Sequence, residues 1–135
     1  MAEGILRYVL SKNGRLNEFS VSSAGVFADG ISKASINAVS VLKDEWGIDI
    51  GDHVSRQLQE EDLRVADVVL VMTKLHKKII LSLYKEYENK VFTLSEDNDI
   101  VDPYGGTYDV YKICAKKIKD SIDIFLERHY KQGGD

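Results

Sequence analysis

The chain of 135 residues has little cysteine, proline or tryptophan, with one of each: Cys114, Pro103 and Trp46. A single thiol excludes an intrachain disulfide, which fits a reducing, cytoplasmic compartment. No apolar run approaches the roughly 20 residues that a membrane-spanning helix needs; the longest is Val68 to Met72. Nor does the chain open on a basic tip followed by an apolar run, so no signal peptide is expected. Met1 instead enters an amphipathic stretch that carries Glu3 and Arg7. Positive charge is not in excess either. Against 18 Lys and Arg stand 22 Asp and Glu, for a formal charge of -4, which argues against nucleic acid and anionic membranes as main partners. No cluster of His, Cys and Asp has the spacing of a metal site, and there is no internal repeat, linker or low-complexity block.

What is present reads as globular: 44% apolar and 30% charged residues, in a length that suits one compact domain, residues 1–135. Ile5, Leu6, Val9 and Leu10 form a helical stripe, with a stop at Asn13-Gly14. Phe19 to Ser23 is rich in strand formers and ends at Ala24-Gly25, which predicts a strand and a turn. A second helix over residues 33–46 places Ile36, Val39, Val41, Leu42 and Trp46 on its apolar positions and closes at Gly47. Ser55 is a candidate cap for a short third helix running through Leu58 and Leu63. Val68 to Met72, apolar and rich in valine, suits a strand buried on both faces of a parallel sheet. A helix is expected from Lys74 to Tyr87, a short strand from Lys90 to Leu94, and a loop from Ser95 to Gly106. Thr107 to Lys131 predicts a long helix whose buried face is Val110, Ile113, Cys114, Ile118, Ile122, Phe125 and Leu126; Tyr108 and Tyr111 belong to the buried side of its start. Gly133 and Gly134 release the tail.

Strands alternating with helices imply an α/β protein, a three-layer α/β/α sandwich on a parallel sheet. One feature departs from that plan. The first helix follows no strand, and Met1 enters it without a capping side chain. In doubly wound folds an opening strand delivers the chain to the first helix, and the loop at that helix N-terminus is the natural anion site. A fold that simply begins with a helix is the plainer alternative.

Five motifs occur in order: Met1-Ala2-Glu3-Gly4, Ser23-Ala24-Gly25, His53-Val54-Ser55-Arg56, Ala66-Asp67-Val68-Val69-Leu70-Val71-Met72-Thr73 and Asp102-Pro103-Tyr104-Gly105-Gly106. Each is weak alone. As an ordered set they resemble the low-molecular-weight protein tyrosine phosphatase family over essentially the whole chain. The bacterial branch, which includes protein arginine phosphatases, is nearest; Ser23-Ala24-Gly25-Val26-Phe27-Ala28 and Lys90-Val91-Phe92-Thr93-Leu94 point there. The resemblance implies hydrolysis of phosphorylated protein side chains through a phosphocysteine, with no cofactor. It also implies that the first central strand and the loop of a cysteine, five residues and an arginine, followed by Ser-Pro, would lie upstream of Met1. The chain is therefore expected to be an N-terminally truncated relative, inactive as it stands.

Residue by residue, the resemblance makes Asp102 the general acid. Asp102 would protonate the leaving group during thiolate attack and then help activate water. An ordinary turn aspartate before proline is the simpler reading. Tyr104 matches an aromatic that lines the substrate cleft, against the alternative of a loop aromatic packed on the last helix. Ser23 and His53 match positions that buttress the phosphate loop; read without the family they are a strand-end serine and a surface histidine. Cys114 sits at a core-like helical position and is read as packing. Arg56 is expected to pair with Asp62 or Glu60, and His76 and His129 carry no assigned role.

Two functions follow. In one, the natural protein is a cytoplasmic phosphatase whose start falls at an internal methionine, acting on a phosphorylated protein once the loop is restored. In the other, the chain is a catalytically dead relative kept as a binding or assembly module. The choice between phosphotyrosine and phosphoarginine depends on a side chain inside the absent loop. Without the first strand, the strands at Phe19 to Ser23 and Val68 to Met72 would present unpaired edges. The expected outcomes are re-pairing, self-association through those edges, or marginal stability.

Overall fold

A computed structural model of the chain describes residues 1–26, 30 and 34–130. Phe27 and Ala28, the expected helix start at residue 33, and the expected end at Lys131 with Gly133 and Gly134 lie outside these residues. The chain divides into two compact groups of residues, Met1–Ser23 with Lys33–Val54 and Asp102–Asp135, and Ala24–Ser32 with Ser55–Val101.

The first group is helical. Helix α1 runs Ala2–Lys12, helix α2 Ile36–Trp46 and the long C-terminal helix, named α5 below, Tyr108–His129. Each buries one stripe: Ile5, Val9 and Leu10 from α1, Ala38, Val41 and Leu42 from α2, and Tyr111, Cys114, Ala115, Ile118, Ile122 and Phe125 from the last helix. Both α1 and α2 pack against that last helix. The ends obey local chemistry. Ser35 caps α2 by accepting from the Ala38 amide at 3.2 Å. Gly47 stops α2 in the left-handed region at φ 70°, which its missing Cβ permits. The Met1 side chain caps nothing, as expected, and Asn13 ends α1.

Two expectations fail here. Val110 and Ile113 are exposed, at 45% and 60%. The buried stripe instead repeats through Tyr111, Cys114, Ala115, Ile118 and Ile122; Val110 sits about 90° and Ile113 about 150° from its centre. Phe19 to Ser23 forms no strand. Phe19 is extended, but no residue of the segment belongs to a ladder. The Val21 carbonyl is met by the Arg7 guanidinium rather than by a neighbouring strand. A strand exists only through its pairing, and no described backbone pairs with this one.

The second group holds helix α3 (Glu60–Val65), strand β1 (Val69–Val71), helix α4 (Lys74–Leu83), a 3₁₀ helix (Lys85–Lys90) and strand β2 (Val91–Thr93). β1 and β2 pair in parallel with Val69 opposite Val91 and Val71 opposite Thr93. Leu63, Val71, Ile80 and Val91 form its buried core. The short helix α3 begins at Gln59, not at Ser55. Asp62 explains the choice: its carboxylate accepts from the Gln59 amide at 2.8 Å and from Arg56 at 2.9 Å, which also realises the expected Arg56 pair. Helix α4 ends at Leu83, short of Tyr87, where the chain tightens into the 3₁₀ helix. β1 is less buried than expected. Only Val71 is fully covered, while Val69 and Leu70 are half-buried. Among the described residues β2 is its sole ladder partner.

Candidate functional site

The site candidates Ser23, His53, Asp102 and Tyr104 all belong to the first group, and two small arrangements hold them.

The first is the loop from Asp102 to Thr107, which leads into α5. Asp102 is exposed, and its Oδ1 accepts from the Tyr104 amide at 3.0 Å. This is an Asx-turn, the local bond that aspartate makes readily. The next turn closes when the Gly106 amide donates to the Pro103 carbonyl at 2.8 Å. Gly105 takes φ 80°, the value that a turn of this kind demands of its third residue. At Gly106 the reason for glycine is space. A Cβ there would lie 2.8 Å from both the Pro103 carbonyl oxygen and Val110 Cγ1. From α2, Asn37 Nδ2 donates to the Gly106 carbonyl at 3.1 Å. Thr107 then caps α5 by accepting from the Val110 amide at 3.4 Å. Tyr104 stands out from the loop at 86% exposure, so it is not packed on the last helix.

The second arrangement lies at the first turn of α1. Ser23 Oγ donates to Glu3 Oε1 at 2.8 Å, and Arg7 Nε donates to Glu3 Oε2 at 3.3 Å. His53 is half-buried, and its charge acts on Glu3. Partial burial pushes the Glu3 carboxyl up; the bonds from Ser23 and Arg7, with the charges of Arg7 and His53, outweigh it, and the net shift is downward.

The structure therefore brings the Ser23 hydroxyl to the carboxylate of Glu3, which sequence reasoning missed. The available signal was the spacing of Glu3 and Arg7, an i,i+4 pair with its acid in the first helical turn. Tyr108, expected on the buried side, is half-buried and donates its hydroxyl to Asp44 at 2.9 Å. Tyr111 is buried. Cys114 is buried on α5, and burial pushes its thiol up, with the nearby Asp102 charge adding to the rise. A thiol held protonated is no nucleophile. Position 120, where an arginine six residues beyond it would stand, is Asp120. Among the described residues no three His, Cys, Asp or Glu side chains gather as a metal set, and no helix is long and apolar enough to cross a membrane.

Comparison with known proteins gives this geometry its family. The sequence profile described as low molecular weight phosphotyrosine protein phosphatase matches residues 1–133. The chain is 40% identical to a protein-arginine-phosphatase of Bacillus subtilis, over 98% of this chain and 86% of that protein. It is 33% identical to the low molecular weight protein-tyrosine-phosphatase PtpB of Staphylococcus epidermidis, over 96% of this chain and 88% of that one. The crystal structure of a low molecular weight protein tyrosine phosphatase from T. tengcongensis superposes with a TM-score of 0.88 at 44% identity, covering 94% of this chain and 88% of that chain. The chain belongs to the low molecular weight phosphotyrosine protein phosphatase family. The α/β fold with a parallel sheet, expected from the alternation of strands and helices, is borne out.

Proposed function

We infer that these residues form the acid-bearing part of a site that hydrolyses phosphorylated protein side chains, with Asp102 as the general acid. The observation that carries the reading is the state of Asp102. Its carboxylate is exposed on a loop with two internal closures, and Oδ1 is already engaged by the Tyr104 amide. One oxygen is thereby fixed and the other left to exchange a proton with a ligand.

In the first step a cysteine thiolate attacks phosphorus. The S–P bond forms, the bond to the leaving oxygen or nitrogen breaks, and Asp102 gives that atom its proton. In the second step the Asp102 carboxylate takes a proton from water as the water oxygen displaces sulfur, releasing inorganic phosphate and the thiolate. Ser23 and His53 buttress the loop that holds phosphate, and Tyr104 forms part of the cleft wall. The 135 residues contain no cysteine followed at the sixth position by arginine, so by themselves they supply neither nucleophile nor phosphate cradle. The second reading is a binding or assembly module. The relatives are named for arginine and for tyrosine phosphatases, and both substrates remain in view.

The test is hydrolysis of para-nitrophenyl phosphate by the 135-residue chain beside a form extended at Met1 by a strand and a Cys-x5-Arg-Ser-Pro loop. The reading expects turnover in the extended form alone. An extended form that is folded yet inert would leave only the binding module.

A further inference from the structure

We propose that Asn37 is a positioning residue for the acid loop, acting through the carbonyl of Gly106. The inference rests on Asp102 being the acid, and it names what holds that acid in place.

The loop's own closures cannot locate it. The bond from the Tyr104 amide to Asp102 and the bond from Gly106 to Pro103 both lie inside the loop and would move with it. Asp102, Tyr104 and Gly105 are exposed, so packing does little to hold them. Among the described hydrogen bonds, one joins the turn to another helix: Asn37 Nδ2 to the Gly106 carbonyl, 3.1 Å across a separation of 69 residues. A carbonyl only accepts, so the amide must present its nitrogen.

Asn37 is suited to this because its own helix is anchored. Ser35 caps α2, and α2 is tied to α5 by the Tyr108 hydroxyl on Asp44 at 2.9 Å and by Lys112 on Glu45 at 3.2 Å. Both ties lie beyond the loop, on the helix the loop feeds. Gly106 contributes by lacking a Cβ, which lets the Pro103 carbonyl and Val110 close upon it. Asparagine is an indifferent helix former; its place in the first turn of α2 is explained by the bond it makes. A catalytic group displaced by about 1 Å can lose about a hundredfold in rate, so a single anchor of this kind bears directly on Asp102.

Asn37→Asp is the informative variant. It keeps size and suits the first turn of a helix, but it replaces the donor with a carboxylate that faces a carbonyl. In the 135-residue chain, amide exchange at Tyr104 and Gly106 is expected to rise about tenfold. The Tyr104 amide resonance, which reports its bond to Asp102, should move toward that of a free amide. Amides at Leu42 and Ile118 should keep their protection. Asn37→His, whose ring nitrogen can donate at similar reach, should restore both signals. In the extended form, Asn37→Asp should slow phenyl phosphate more than para-nitrophenyl phosphate, because the poorer leaving group needs the acid more.

Exchange at Tyr104 and Gly106 within twofold of the parent would overturn the proposal, and so would a rise shared equally by Leu42 and Ile118. The exchange measurement does not depend on turnover. If exchange responds but the leaving-group preference does not, the bond holds the turn without positioning the acid and the proposal fails, while the assignment of Asp102 is tested separately by Asp102→Asn.

Discussion

The hydroxyl of Ser23 donates to the carboxylate of Glu3 at 2.8 Å, joining the segment that follows Phe19 to the first turn of α1. Because its proton is given to Glu3, Ser23 is left with lone pairs to offer. Any further group that hydrogen-bonds to this hydroxyl must be a donor.

The downward shift of Glu3 has a consequence for acid stability. A carboxyl whose folded pKa lies below its unfolded value stabilises the fold above the unfolded value and loses that contribution as pH falls through the folded one. The contribution should therefore be complete near neutral pH and gone in strong acid. Urea unfolding at both pH values is expected to show Glu3→Gln less stable than the parent near neutrality and level with it in acid. Since the carboxylate is partly open to solvent, the difference at neutral pH should be modest, about 1 kcal/mol. An equal loss at both pH values would show that the charge of Glu3 is irrelevant.

Gly106→Ala should disturb the acid loop without touching its acid. The added methyl would meet the Pro103 carbonyl oxygen and Val110 Cγ1, each at 2.8 Å. Both are held, one by the turn and one by the start of α5, so a loss of about 1–3 kcal/mol is expected. Thermal unfolding measures it, and an unchanged midpoint would mean that the turn relaxes freely.

Asp62→Asn should weaken α3. Asp62 accepts from the Gln59 amide and from Arg56, and asparagine can replace only the first of these fully. The expected cost is roughly 0.5–2 kcal/mol, read from denaturant midpoints. Arg56→Met alone should cost less, since that guanidinium is substantially exposed.

The helices were legible because their apolar spacing and the stop at Gly47 are local signals. What was not legible depends on partners distant in sequence. Phe19 to Ser23 has strand composition, but pairing decides strands, and nothing in the segment says whether a partner stands beside it. Ser55 looked like a cap, yet Gln59 took the role because Asp62 was in reach of its amide. Val110 and Ile113 are as apolar as their neighbours, and only the packing stripe of α5 separates them from the core. The site divides in the same way. Ser23, His53, Asp102 and Tyr104 were marked by motif order, whereas Glu3 and Asn37 earn their places through contacts 20 and 69 residues away.

The most direct test of the account is to compare Asp102→Asn with the parent, both in the extended form, on two aryl phosphates that differ in leaving-group basicity. If Asp102 is the general acid, kcat/KM for phenyl phosphate should fall by about a hundredfold or more, and that for 2,4-dinitrophenyl phosphate should fall far less. Equal losses on both substrates, or none on phenyl phosphate, would contradict the assignment of Asp102.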